Sequence, residues 1–211
     1  MSETARQLAR VTAGLYVRGL VTASGGNLSA RDPDSPDQIW ITPAGEFKGD
    51  LQPEHMACIG LDGAPRSADE PRPSTEWRVH CAIYRRRPDV LAVLHSHAPQ
   101  VTRLALTGTR FLPITLEAAL IGELPVVPFI MPGTEALAEA VASALGAGAA
   151  VLMQNHGLVV AADSLEHAAA LTETIEATAG TLLACRMLGV TPPVLSEDEI
   201  REVRARGSYG G

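Results

Sequence analysis

An apolar run that ends in two histidines constrains the fold of this chain more than any other stretch. Residues 90–94 read Val-Leu-Ala-Val-Leu and lead directly into His95-Ser-His97. A short, wholly apolar segment of this kind is typical of a buried strand, and side chains two positions apart along a strand point to the same face. We therefore expect both imidazoles to converge at one end of a buried strand, where they can bind a single metal ion. The simpler alternative is that they are polar residues at a strand terminus.

A third histidine, His156, follows a second apolar run at residues 149–153 and precedes Gly157. Taken alone, it is more simply explained as a hydrogen-bonded histidine of the core. Together with His95 and His97 it completes a set of three imidazoles, which is a donor set of catalytic Zn²⁺ sites that keep a fourth position open. The sequence therefore predicts a zinc centre formed by these three histidines, with Mn²⁺ or Co²⁺ as alternative divalent ions.

The length and the charge of the chain limit its class. Residues 1–211 are most simply one domain, a size that buries roughly 70% of the unfolded surface. A formal net charge of −7 disfavours binding to nucleic acid or to an anionic membrane. The N-terminal residues carry charges instead of an apolar core, and no apolar run approaches ~18 residues. We therefore expect a cytoplasmic protein without a membrane span, with a flexible tail at residues 206–211.

The cysteines and the single lysine bear on the chemistry. Cys58, Cys81 and Cys185 are widely spaced and form no Cys-x-x-Cys pair, so we expect buried free thiols in a reducing compartment. An aldolase that forms a Schiff base needs a desolvated lysine. Lys48 is the only lysine among the 17 basic residues and lies in the polar turn at residues 46–50. If the chain cleaves carbon–carbon bonds, a metal mechanism is therefore favoured.

Periodicity and turn residues predict the remaining elements. Helices are expected at residues 3–20, 74–87, 99–106, 133–145 and 165–188, and strands at residues 38–42, 55–61, 125–130 and 150–154. Glu173 and Glu176 of the last helix are interpreted as part of a solvated face. Strands alternate with helices, but several are joined by short turns. This order predicts an α/β fold with three α/β/α layers around a central mixed, largely antiparallel sheet.

Glu76 lies in the first turn of the helix predicted at residues 74–87, which Ser74 or Thr75 caps. From position alone, the simplest role of an acid there is to compensate the helix dipole. Two features favour catalysis instead. Hydroxyl groups at a helix N-terminus can contribute to a phosphate site, and only a short connection separates this helix from the strand of His95.

Five short motifs, taken together, resemble those of a known family. The motifs are Ser24-Gly-Gly-Asn-Leu-Ser29, Thr42-Pro-Ala-Gly45, Pro73-Ser-Thr-Glu-Trp77, His95-Ser-His97 and Asn155-His-Gly157. In this order and at these separations they resemble the class II aldolase/adducin family over nearly the whole chain. The resemblance implies a homotetramer with active sites at subunit interfaces. It also implies a lyase that cleaves a ketose phosphate to dihydroxyacetone phosphate and an aldehyde through a metal-stabilised enediolate.

The same resemblance implies roles for individual residues. Glu76 would be the catalytic acid/base beside the metal. The residues implied to surround the substrate phosphate are Gly26, Asn27, Thr42, Gly45, Ser74 and Thr75. From the residues alone, the glycine-containing segment at residues 24–29 is more simply a turn that leads into a strand.

Two departures from the family pattern leave the reaction open. Ala44 stands where members commonly carry serine or threonine, which removes a hydroxyl group from the phosphate turn. Family aldolases use a tyrosine of a neighbouring subunit as proton donor, but residues 113–119 here hold Glu117 and no tyrosine. Glu117 and the C-terminal Tyr209 are the candidates for this role. A sugar-phosphate 4-epimerase and a sugar-acid-phosphate decarboxylase are the alternatives, and a non-catalytic adducin-like binding module is disfavoured because all three histidines are present.

Overall fold

The computed structural model describes residues 2–206 and contains one seven-stranded sheet with helices on both faces. The strands are β1 Asn27–Arg31, β2 Gln38–Ile41, β3 Ala57–Gly60, β4 Ala92–Ser96, β5 Val126–Val127, β6 Ala150–Met153 and β7 Gly157–Ala162. The helices are α1 Glu3–Val17, α2 Trp77–Arg86, α3 Pro99–Leu106, α4 Leu116–Ile121, α5 Glu135–Leu145, α6 Leu165–Met187 and α7 Glu197–Arg206. Two short 3-10 turns, Lys48–Asp50 and Pro53–His55, precede β3.

The sheet has the strand order β3-β2-β1-β4-β7-β6-β5. All neighbouring strands are antiparallel except β5 and β6, which are parallel. Strand β4 lies at the centre, where His95 is opposite Asn27 of β1 and Val159 of β7. The predicted mixed, largely antiparallel sheet is therefore confirmed, and it places His95 in its most enclosed strand.

Side chains on the two faces of the sheet belong to separate cores, which explains why β4 is apolar at successive positions. Ala92 and Leu94 pack in the core shared with α1, α3 and α6, whereas Val93 packs in the core shared with α2 and α5. A strand that is covered on both faces has no solvent-exposed face, so its sequence does not alternate between apolar and polar residues. The three-layer architecture predicted from the sequence follows from this double coverage.

Several element boundaries differ from the prediction for local reasons. Strand β5 has only two residues, because Pro128 lacks the backbone N–H that a longer strand would need. Helix α2 begins at Trp77, later than expected, because residues 74–77 form a turn in which the Trp77 N–H donates to the Ser74 carbonyl at 3.1 Å. The sequence did not predict α4, α7 or β7 as separate elements.

Two global expectations can be compared with the described part of the chain. Cys58 and Cys81 are buried free thiols as expected, whereas Cys185 is only half-buried. Between residues 2 and 206, every helix is too short or too polar to cross a bilayer.

Candidate metal centre

Four side chains from three parts of the fold meet at one end of the sheet. His95 is in β4, His97 follows one residue after its end, and Glu76 is the residue immediately before α2. His156 lies in the turn between β6 and β7, three residues beyond the end of β6 and directly before β7. One potential ligand atom from each of the four residues lies within 4.8 Å of the others.

The turn that carries His156 has an unusual backbone conformation. Asn155 has a φ of 60°, the only positive φ of a non-glycine residue between residues 2 and 206. Asparagine tolerates this left-handed region better than most residues. The chain reverses within residues 154–156 and enters β7 at Gly157, which brings the His156 ring back towards the end of β4.

The imidazole nitrogens converge on the Glu76 carboxylate. His95 Nε2 lies 3.0 Å from His97 Nε2 and 3.2 Å from Glu76 Oε2. His156 Nε2 lies 3.2 Å from the other carboxylate oxygen, Oε1. The structure therefore brings together the three histidines and the acid that the sequence singled out.

The tautomer of His95 follows from its second ring nitrogen. Nδ1 lies 3.0 Å from the Leu158 carbonyl oxygen, which can only accept, so Nδ1 carries the proton. The lone pair of His95 Nε2 then points into the cluster, towards the Glu76 carboxylate. A backbone carbonyl that orients a histidine in this way is the usual outer partner of a metal ligand.

Two buried atoms of the cluster are left without a hydrogen-bond partner within residues 2–206: Glu76 Oε1 and His156 Nδ1. Buried acceptors are rarely left unpaired in proteins. A cation between the carboxylate and the imidazoles would satisfy Oε1, and three imidazoles with a carboxylate suit Zn²⁺ or a similar divalent ion. The residues present therefore fit a metal, and their role as ligands remains a prediction.

Glycines at two motif positions make room for the histidine rings. A Cβ on Gly157 would collide with the Ser96 carbonyl oxygen and lie 3.1 Å from His95 Cε1. A Cβ on Gly25 would lie 2.5 Å from His97 Nδ1. Any side chain at these positions would displace a histidine ring or the end of β4. The arrangement of the site therefore requires glycine at both positions.

Burial and neighbouring rings set the charge of the cluster. Burial raises the pKa of the Glu76 carboxyl, but the imidazoles of His95 and His156 lower it by more, so the pKa lies well below its usual range. Burial, with the adjacent His95 and His156, lowers the pKa of His97 to about 4. At neutral pH the site therefore holds an ionised carboxylate and a neutral His97 ring that can bind a cation.

The side chain of Glu76 takes part in the cluster and not in capping its helix. Glu76 precedes α2 and makes no side-chain hydrogen bond to the first turn. Its Oε2 instead accepts from Asn27 Nδ2 at 2.9 Å. The geometry of Glu76 therefore argues against a role that is limited to helix capping.

The predicted phosphate residues form two adjoining turns next to Glu76. Pro43 and Pro73 form an isolated bridge, and the Ala44 N–H donates to the Arg72 carbonyl at 3.0 Å. Gly45 has a φ of 77°, and the space beside its Cα is open. Ser74 Oγ accepts from the Glu76 N–H at 3.3 Å, which links the second turn directly to the cluster.

The remaining predicted phosphate residues differ in exposure. Thr75 is exposed, whereas Thr42 is fully buried and its hydroxyl accepts from the Leu28 N–H at 3.2 Å. Asn27 is also buried, and its amide faces Glu76 and His80. Gly26 has a φ of 87° and lies against the His95 carbonyl. Within these turns, Gly45 and Thr75 therefore offer the most accessible groups.

The expectation that Lys48 lies in a polar setting is wrong. Its side chain is only 2% exposed, and its Nζ donates to the Pro43 carbonyl at 2.9 Å. Burial lowers the pKa of Lys48, and Glu46 opposes this effect only in part. Because the ammonium group is enclosed and bound to the Thr42–Gly45 turn, Lys48 supports that turn and is not open to a carbonyl substrate.

Of the two candidates for the second proton-transfer group, Glu117 is the one within residues 2–206, and it lies outside the cluster. Glu117 is exposed in the first turn of α4, where it lines a surface pocket with Leu120, His167 and Val203. Tyr209 lies outside the described residues 2–206. The structure of one chain therefore leaves the assignment of this group as a prediction.

Sequence reasoning missed one acidic residue that supports the site. Glu176 was expected on a solvated face, but its two carboxylate oxygens accept from the Gln100 and Val101 N–H groups at 2.8 and 2.9 Å. These are the first free donors of α3, the helix that begins two residues after His97. Ala98, the residue before α3, has no side chain that could cap this helix. The lack of a local cap is the sequence signal that could have indicated a capping residue from a distant segment.

A set of three imidazoles and a carboxylate, in which His95 is buried and the other two rings are half-buried, lies at the end of a helix-covered, largely antiparallel sheet and defines a candidate metalloenzyme. A family model described as "Class II Aldolase and Adducin N-terminal domain" matches residues 6–183. The chain belongs to the class II aldolase/adducin family.

Individual relatives agree with this assignment. A 3-oxo-tetronate 4-phosphate decarboxylase of Escherichia coli K12 is 33% identical over 206 residues, covering 94% of each chain. An L-fuculose phosphate aldolase of the same strain is 34% identical over 204 residues, covering 96% of this chain and 93% of the relative. A solved structure of L-fuculose 1-phosphate aldolase matches with a TM-score of 0.90 at 27% identity, covering 98% of this chain and 96% of the other. Similarity of this degree to two different lyases shows the family without fixing the reaction.

Proposed function

We propose that this protein is a divalent-metal-dependent lyase that breaks a carbon–carbon bond of a phosphorylated sugar or sugar acid. The observation that carries the proposal is the Glu76 carboxylate held within 3.2 Å of two imidazoles of a three-histidine set. His95, His97 and His156 are the proposed metal ligands, with Zn²⁺ as the first candidate ion and Mn²⁺ or Co²⁺ as alternatives. Similarity to sugar-phosphate enzymes supports a cytoplasmic location.

The protein groups divide the work between binding and proton transfer. When bound, a divalent ion supplies Lewis-acid polarisation of a substrate carbonyl. The histidines hold their lone pairs towards one point, and the buried position of His95 limits access of water. Glu76, ionised beside them, is the group that exchanges a proton with the carbon next to the substrate ketone.

The leading reaction is aldol cleavage of a ketose phosphate such as L-fuculose 1-phosphate. The bond between C3 and C4 breaks, the C4 hydroxyl loses its proton to become an aldehyde, and C3 gains a proton to give dihydroxyacetone phosphate. Glu76 serves C3, so a second group must take the hydroxyl proton. We propose Glu117 of a neighbouring subunit in a homotetramer, with Tyr209 as the competing candidate.

Decarboxylation of a 3-oxo sugar-acid phosphate is the second candidate. It is favoured by one feature of this sequence, the absence of tyrosine from residues 113–119, because loss of carbon dioxide leaves no hydroxyl to deprotonate. Loss of carbon dioxide from a 3-oxo-tetronate 4-phosphate also yields dihydroxyacetone phosphate. Both candidates therefore need the same proton transfer at the carbon next to the ketone, which is the step assigned to Glu76.

The substrate phosphate is proposed to bind at the two adjoining turns and the glycine-containing loop. Its proposed contacts come from Gly26, Asn27, Thr42, Gly45, Ser74 and Thr75. The open space at Gly45 and the exposure of Thr75 support this placement. Because Ala44 offers no hydroxyl, we expect backbone N–H groups to contribute more of the binding.

The test is a substrate panel on the zinc-loaded protein. Ketose phosphates and 3-oxo sugar-acid phosphates are supplied, and aldehyde, carbon dioxide and dihydroxyacetone phosphate are measured. Aldehyde with dihydroxyacetone phosphate supports aldol cleavage, and carbon dioxide with the same ketone supports decarboxylation. Inversion of a sugar phosphate without cleavage would indicate a 4-epimerase and contradict the proposal, as would a lack of turnover across the panel with metal bound.

A further inference from the structure

A hydrogen-bonded network extends from Glu76 into the core between β1 and α2. It comprises Glu76, Asn27, Ser29, His80 and Tyr84, which we call the buried network. Asn27, Ser29, His80 and Tyr84 are each at most 3% exposed. Because no member can rely on solvent for a partner, the orientation of each group depends on its neighbour.

The roles of donor and acceptor can be followed from the carboxylate inwards. Glu76 Oε2 can only accept, so the group 2.9 Å away must be the Asn27 amide nitrogen, Nδ2. Asn27 Oδ1 then faces His80 Nε2 at 2.5 Å, and since Oδ1 accepts, Nε2 carries a proton. The opposite orientation of the Asn27 amide would place Oδ1 against the Glu76 carboxylate. It is unfavourable because two hydrogen-bond acceptors would then be in contact.

The far side of the His80 ring completes the same pattern. His80 Nδ1 lies 2.7 Å from Ser29 Oγ, and a neutral ring with its proton on Nε2 accepts the Ser29 hydroxyl there. The Tyr84 hydroxyl donates to the Ser29 carbonyl at 3.0 Å and lies 2.9 Å from Ser29 Oγ. Burial, with the nearby His95, lowers the pKa of His80 to about 3, which agrees with a neutral ring.

We propose that His80 is a positioning residue for Glu76, acting through the Asn27 amide. By donating to Oδ1, His80 keeps Nδ2 on Glu76 Oε2, and this fixes the orientation of the carboxylate that exchanges the substrate proton. The inference rests on the proposed role of Glu76 in proton transfer. It also gives Asn27 a task apart from the phosphate contact that the family resemblance implies.

The first test is kinetic and compares three variants. His80→Phe keeps a ring of similar size but removes the donor, and we expect kcat to fall by roughly 10–100-fold with KM and bound metal unchanged. His80→Gln can still donate to Asn27 Oδ1 through its amide, so it should recover most of that loss. Ile83→Val, one turn further along α2 and outside the buried network, is the control for loss of stability and should lower Tm without lowering kcat.

Two kinetic outcomes would overturn the proposal. One is a His80→Phe protein with wild-type kcat. The other is a loss of kcat that follows Tm alike in all three variants, which would indicate a purely structural role.

The second test uses the wild-type protein alone, so it requires neither a substrate nor a variant. Long-range ¹H–¹⁵N correlation spectra of the wild-type protein report which nitrogen of His80 is protonated. The proposal requires the proton on Nε2 and a bare Nδ1; the reverse tautomer, or a doubly protonated ring at neutral pH, overturns it. A Glu76→Gln variant that kept full turnover would contradict the proposed role of Glu76, even if His80 showed the expected tautomer. The failure of that role can therefore be distinguished from a failure of the His80 proposal.

Discussion

The four-residue cluster and helix α4 are both expected to take part in the reaction, but they are built differently. The cluster draws on β4, the turn between β6 and β7 and the start of α2, and one potential ligand atom from each of its residues lies within 4.8 Å of the others. Glu117 is exposed on α4, a six-residue helix that contacts α6 and α7. One region is enclosed by the central sheet, and the other is a short peripheral element.

This difference suggests how one fold can serve several lyases. The proton transfer that we propose for both aldol cleavage and decarboxylation needs a rigid site, and the enclosed cluster would provide one. The group that distinguishes the two reactions has to meet the departing part of the substrate, and a peripheral helix can change with little effect on the core. The following predictions test this division, from the largest expected effect to the smallest.

The largest effect should come from His95→Ala. His95 is 1% exposed and oriented by the Leu158 carbonyl, so its loss removes the most buried of the three proposed ligands. Wild-type protein should retain about one divalent ion per chain after dialysis, and the variant should retain almost none. His167→Ala, which removes an exposed histidine on α6, is the control. Full metal occupancy of His95→Ala would contradict the ligand assignment.

Glu76→Gln should separate proton transfer from metal binding. An amide keeps the shape of the carboxylate but cannot accept a proton, so turnover should fall by roughly 10²–10⁴-fold with metal content and Tm nearly unchanged. A helix-capping role would give the reverse result, a change in stability of under about 1 kcal/mol with full activity. Steady-state kinetics and a thermal melt on one preparation distinguish these outcomes.

Glu117→Gln should affect only one branch of the chemistry. If Glu117 accepts the hydroxyl proton, the variant should lose roughly 10-fold or more in aldol cleavage but keep proton exchange at the ketone product. Tyr209→Phe is the matched comparison, because it tests the competing donor. Wild-type turnover of Glu117→Gln across a broad pH range would exclude this role and favour Tyr209 or water.

The smallest effect should come from Glu176→Ala, and it should be on stability alone. This change removes the acceptor of two N–H groups at the start of α3, which we expect to cost about 1 kcal/mol. Glu173→Ala on the same helix removes only a surface ion pair with Arg18, worth under about 1 kcal/mol. Denaturant unfolding of both variants measures the difference, and equal free energies of unfolding would show that Glu176 does not cap α3.

The parts of the site that were predictable from the sequence depend on local periodicity. The spacing of His95 and His97 determines that both rings leave one strand on the same side, whatever the rest of the fold. His156 required more, because its ring returns to the cluster only through the left-handed conformation of Asn155. Its participation was predictable from the motif, but its place in a turn was not.

The parts that were missed depend on contacts between distant segments. The bond between Asn27 and His80 exists because β1 packs beside α2, and the cap supplied by Glu176 exists because α6 passes the start of α3. Lys48 was misjudged for a different reason, since a long side chain can leave a polar turn and be buried beneath it. Local sequence predicted the layers of the fold and the metal candidates, but not these supporting interactions.

The most direct test of the central claim is solvent exchange into dihydroxyacetone phosphate. This ketone is the product of both candidate reactions, so the measurement does not depend on which one occurs. Zinc-loaded wild-type protein in D₂O should replace one proton next to the ketone, seen as loss of the corresponding ¹H NMR signal, and zinc-loaded Glu76→Gln should not. Equal exchange by the two proteins, or none by the metal-loaded wild type, would contradict the claim that Glu76 transfers this proton beside the three-histidine site.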